Sequence, residues 1–85
     1  MDVCGGGTIS TSTASITFDN HHPEACTLSD CGLPGWPTTN PLVPAAANGQ
    51  DGTLTIPLSP PLPTGDYPYS ASCCRKRTNP TIKVQ

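Results

Sequence analysis

Apolar and polar residues alternate along much of this chain, and the alternation marks strands. In TSTASITFDN, Ala14, Ile16 and Phe18 fall on one side and Thr13, Ser15 and Thr17 on the other. This is the period-2 pattern of a half-buried strand. TLTIPL repeats it with Leu54, Ile56 and Leu58 inward. Pro57 inside that run has no N–H for a ladder, which places the strand at a sheet edge or makes it locally irregular. Tyr67, Tyr69, Ala71 and Cys73 share one face of a third strand, and Ile82 with Val84 share one face of the last. Turn residues separate these runs: NGQDG at Asn48 to Gly52, PTG at Pro63 to Gly65 and TNP at Thr78 to Pro80. No stretch holds a helical period long enough to count.

Residues 32–52 interrupt the alternation. Pro34, Pro37, Pro41 and Pro44 break up scattered apolar positions there, which predicts a long Pro/Gly-rich loop. Its tryptophan, Trp36, is expected to lid one end of the core; the alternative is an exposed aromatic that binds a partner. Short strands with regular turn signals predict a single β-sandwich domain over residues 1–85, with 1–7 as a flexible lead.

Composition sharpens this picture in two ways. A chain of 85 residues buries only roughly 60% of its unfolded surface, so its core is thin and invites reinforcement. A formal charge of -2 gives no basic face, which sets nucleic-acid binding aside.

Five cysteines supply the candidate reinforcement. At this density they favour an oxidising compartment, extracellular or periplasmic, over a cytosolic protein with reduced thiols. MDVCGGGTIS lacks the basic and apolar regions of an export signal, so that reading requires a signal already removed. No segment approaches the ~20 apolar residues of a membrane span. An odd count leaves at least one cysteine over if pairing is internal.

Two segments, ITFDNHHPEACTL and GDYPYSASCCRKRTNPTIKV, resemble the copper-site segments of the cupredoxins, the plastocyanin-like sandwiches. In that family a strand ending in asparagine precedes the first histidine ligand. A later Gly-x-Tyr-x-Tyr/Phe-x-Cys strand delivers the thiolate, a short loop the second histidine, and a last strand closes the sheet. Gly65, Tyr67, Tyr69 and PTIKV from Pro80 match this framework. The resemblance implies a small all-β Greek-key sandwich, cupredoxin-like, with an immunoglobulin-like arrangement as the alternative.

The ligands depart from the family. Its spacing puts Ala71 at the thiolate position, Cys74 at the second histidine and Cys26 at the first, and the only methionine is Met1. A type 1 copper site needs two imidazoles and a thiolate, so blue-copper chemistry is not expected. Cysteines stand instead where the resemblance places copper histidines, which brings Cys26 and Cys74 to one pole with Cys31 and Cys73 nearby. One reading pairs Cys26 and Cys31 as disulfides with Cys73 and Cys74 or with Cys4, needing no cofactor. Cys4, in its glycine-rich lead, can reach either member of the vicinal pair and is also the best candidate for the unpaired thiol. The alternative reading is a soft site for Cu(I) or Zn(II) built from Cys26, Cys31, Cys73, Cys74 and His21 or His22.

The remaining chemistry is sparse. His21 and His22 lie in a polar turn with Glu24, either solvated or able to catch a metal. Arg75, Lys76 and Arg77 form a basic cluster, either a solvated hairpin tip or a dock for an acidic protein partner. There is no Ser-His-Asp grouping and no Gly-rich phosphate loop, and the carboxylates are scattered singly, so the chain is not expected to be an enzyme. A structural or partner-binding role is the expectation, with metal handling as its rival.

Overall fold

The computed structural model describes residues 1–74 and 79–85. Among them are eight strands and no helix: β1 (Gly7–Ile9), β2 (Ser15–Asn20), β3 (Cys26–Ser29), β4 (Leu42–Val43), β5 (Gly52–Pro57), β6 (Gly65–Pro68), β7 (Ser70–Ala71) and β8 (Thr81–Val84). They form three small sheets around one core, a small all-β sandwich. β8 lies between β1, to which it is parallel, and β6, to which it is antiparallel. β2 and β5 make an antiparallel pair, and β3 lies antiparallel between β4 and β7.

Alternation sets the pairing of β2 with β5. Ile16 faces Ile56 with both side chains buried, and Phe18 faces Leu54. On the exposed side Thr17 faces Thr55, their hydroxyls 2.8 Å apart. Ala14, expected inward, precedes the strand and is exposed, while its carbonyl accepts from the Leu58 N–H at 2.8 Å. Pro57 closes β5 at the end of a two-stranded sheet, where its missing N–H deprives no third strand. Phe18 is fully buried and meets Tyr69 and Trp36 edge to face, at ring separations of 5.7 and 6.0 Å. These T-shaped contacts are the favoured geometry of aromatic pairs.

The run from Gly65 to Cys73 is not one strand. Its first part pairs with β8 and its second with β3, so the chain changes sheet between Pro68 and Ser70. The Tyr69 N–H still donates to the Pro80 carbonyl at 3.0 Å, one step past the Pro68–Thr81 pair, while its ring enters the core with 0% exposure. The consequence reaches the site: β7 delivers Cys73 and Cys74 beside β3.

Two loop expectations are also corrected. Residues 32–52 contain β4, whose Val43 is buried opposite Cys26. They also contain a hairpin at Asn48-Gly49, where φ is 55° and 78° and Ala47 and Gln50 exchange both backbone hydrogen bonds. Positive φ at both central positions is the type I′ turn that Asn-Gly favours. The lead, residues 1–7, is packed rather than flexible. Val3 has 0% exposure, its N–H donates to the Asp19 carbonyl at 3.1 Å, and the Asp19 N–H donates to the Met1 carbonyl at 2.8 Å. Gly6, at φ 62°, passes so close to Thr81 that a Cβ would collide with that residue's backbone. Burial of Val3 and this close approach hold Cys4 in place.

Candidate functional site at the cysteine pole

Four of the five cysteines meet at one pole, held by three stretches of chain. Cys26 opens β3, Cys73 and Cys74 follow β7, and Cys4 rides on the packed N-terminal segment. After β7 the chain turns: the Ser72 N–H donates to the Thr27 carbonyl at 3.0 Å and the Cys74 N–H to the Ala71 carbonyl at 3.2 Å. Cys73 thereby points into the core with 2% exposure, while Cys74 is half-buried.

Two disulfides result. Cys26 bonds Cys73 with a Cα separation of 5.0 Å, and Cys4 bonds Cys74 at 5.5 Å, both within the range such bridges span. The vicinal pair therefore has separate partners, as expected, and one bond joins the Cys26 loop to Cys73. The assignment of the odd cysteine is corrected: Cys4 is bonded and Cys31 is free. Burial pushes the Cys31 thiol up from its ordinary range, opposed by a hydrogen bond with the Leu33 backbone. The thiol is thus a weak nucleophile at neutral pH.

The expected metal set is only partly brought together. Among the described residues the sulfurs of Cys4, Cys73 and Cys74 all lie within 4.8 Å of one another: Cys4, not expected as a ligand, joins the vicinal pair, and Cys26 and Cys31 are not in the group. His22 joins this group: its Nε2 stands 3.6 Å from the Cys4 sulfur. His21 does not. Its ring lies between two carboxylates, Nδ1 at 2.8 Å from Asp51 and Nε2 at 3.2 Å from Asp2, which occupies both nitrogens. A type 1 copper centre does not fit these residues, because the sulfurs are tied in disulfides and one imidazole, not two, reaches them.

Asn20 fixes the turn that carries His22. It is the buried polar residue of the core, with 0% exposure. Its amide donates to the carbonyls of Glu24 at 2.9 Å and Pro44 at 3.1 Å, and its Oδ1 accepts from the His22 N–H at 2.9 Å. Nothing in the sequence beyond its place at the end of β2 marks it as this anchor. Trp36 lies half-buried against Phe18 and Tyr69. Arg75, Lys76 and Arg77, the candidate basic dock, lie outside the described residues. No described helix is long and apolar enough to cross a membrane.

No protein-family model, curated protein or solved structure matches this chain. The pole itself therefore carries the functional argument.

Proposed function

We propose that this protein is a β-sandwich module without a catalytic site, structural or partner-binding, stapled at one pole for work outside the cytosol, in an extracellular or periplasmic setting. The observation that carries this reading is the pair of nested disulfides, with sequence separations of 70 and 47, which close the chain over most of its length. Either bond alone removes chain entropy worth about 4 kcal/mol from the unfolded state. Because Cys73 and Cys74 are adjacent, once one bond has formed the other closes only the stretch from Cys4 to Cys26, worth about 3 kcal/mol more. Against a net stability of roughly 5–15 kcal/mol for a small domain, these contributions decide whether the chain folds. Disulfides of this kind persist where the surroundings are oxidising.

The cupredoxin resemblance belongs to the same proposal. What supports it is Asn20 at the end of β2 and the Gly65, Tyr67, Tyr69 spacing in the sequence; on that reading the disulfides would close the pole where the family holds copper. Urea unfolding with and without reductant tests the proposal. A reduced chain that loses its cooperative transition supports it, and a reduced chain of unchanged midpoint would contradict it.

A second reading rests on the 4.8 Å grouping of Cys4, Cys73 and Cys74 with His22 beside it: in the fully reduced chain these residues would offer a soft site for Cu(I) or Zn(II). Stoichiometric uptake of either ion by the anaerobically reduced protein supports this reading, and its absence removes it.

A further inference from the structure

The two disulfides differ in access and in what surrounds their sulfurs. Cys26 and Cys73 are 0% and 2% exposed, whereas Cys4 and Cys74 are half-buried. Within the outer bond the two sulfurs have opposite neighbours. His22 Nε2 stands 3.6 Å from Cys4, and the Val3 carbonyl oxygen stands 3.7 Å from Cys74. With its proton on Nε2 the imidazole donates to Cys4 and stabilises negative charge there, as charge-assisted hydrogen bonds do. The carbonyl dipole opposes negative charge on Cys74.

We propose that Cys4–Cys74 is a thiol–disulfide exchange site, in which an external thiolate attacks Cys74 and expels Cys4, while Cys26–Cys73 stays closed. The co-reactant is a small diffusing thiol. Its sulfur bonds to the Cys74 sulfur as the Cys4–Cys74 bond breaks, and the electron pair leaves on Cys4 as a thiolate beside the His22 N–H. A second thiolate then attacks the external sulfur of the mixed disulfide and releases Cys74 as a thiolate. Two external thiols become one disulfide, and their two protons end on Cys4 and Cys74. Each chain spends its bond once, so the protein acts as a stoichiometric oxidant, a role beyond that of a staple.

The inner bond is protected by the same chemistry run in reverse. Cys73 lies within 4.8 Å of the other two sulfurs, so the freed Cys4 thiolate is close enough to reach it. Such an attack would expel Cys26 as a thiolate at a site with 0% exposure. An unpaired charge there is costly, and among the described residues the one N–H that faces it, from Cys73, is 3.4 Å away. Exchange therefore stops at the outer bond.

The test uses the native protein in buffers of graded reduced-to-oxidised glutathione, quenched with acid, alkylated and read by fragment-ion mass spectrometry. Cys4 and Cys74 are expected to open while Cys26–Cys73 remains intact, with the glutathione adduct on Cys74. His22→Leu, which keeps bulk and removes the donor, is expected to slow reduction about threefold at a fixed thiolate concentration, with an unchanged far-ultraviolet spectrum. Opening of both bonds together, an adduct on Cys4, or a wild-type rate in His22→Leu would each overturn the proposal.

Discussion

The Tyr69 hydroxyl donates to the Val3 carbonyl at 3.0 Å, joining residues 66 positions apart in the sequence. The bond ties the segment that carries Cys4 to the segment that carries Cys74, so the outer disulfide bridges two stretches already in contact. Tyr69→Phe keeps the ring against Phe18 and removes the donor from a carbonyl whose residue is fully buried. A loss of about 1.5 kcal/mol is expected, seen as a lower urea midpoint at unchanged slope.

Alkali tests the same contact from the other side. Burial, partly offset by a hydrogen bond from the Gly6 backbone and reinforced by the charge of Asp2, pushes the Tyr69 phenol from 10.0 up to about 12. The fold thus holds the neutral form. The stability this contributes is fully present below pH 10.0 and is lost as the pH rises through about 12. In a Tyr67→Phe protein, phenolate absorbance reports Tyr69 alone, and it is expected to grow together with loss of the far-ultraviolet spectrum.

Asn20→Ala removes hydrogen bonds to the Glu24 and Pro44 carbonyls and to the His22 N–H, at a side chain with 0% exposure. The stranded groups make a loss of about 2–3 kcal/mol the expected outcome. For a domain of this size that lowers Tm by roughly 10–20 °C, which calorimetry reads directly.

Removing either disulfide alone costs about 3 kcal/mol of chain entropy, because the other still closes the unfolded chain. The two deletions separate through the core. Replacing both Cys26 and Cys73 by Ala also empties sulfur volume from fully packed positions, whereas Cys4 and Cys74 are half-buried. The Cys26/Cys73 double variant is expected to be less stable than the Cys4/Cys74 one by about 1 kcal/mol or more, measured by urea unfolding.

The alternation of Ile16 with Phe18, of Ile56 with Leu58, and of Ile82 with Val84 made the strands legible, because which face a side chain takes is a local property. Partners are not local. The run through Tyr67 and Tyr69 keeps its period while the strand exchanges β8 for β3. The lead hid for another reason: three glycines and a single valine carry no pattern, yet the close approach at Gly6 and the burial of Val3 are what bring Cys4 to Cys74. Adjacency puts His21 and His22 in one turn, but their rings diverge, His21 to two aspartates and His22 to a sulfur. The vicinal cysteines take separate partners because the turn after β7 sends Cys73 into the core towards Cys26 and leaves Cys74 half-buried beside Cys4.

The staples themselves are tested most directly by intact mass after alkylation of the native and the urea-unfolded protein, both without reductant. The pairing of Cys4 with Cys74 and of Cys26 with Cys73 predicts one alkyl group in the unfolded chain, on Cys31, and slower addition in the native one, where burial raises that thiol. Five alkyl groups would contradict the account.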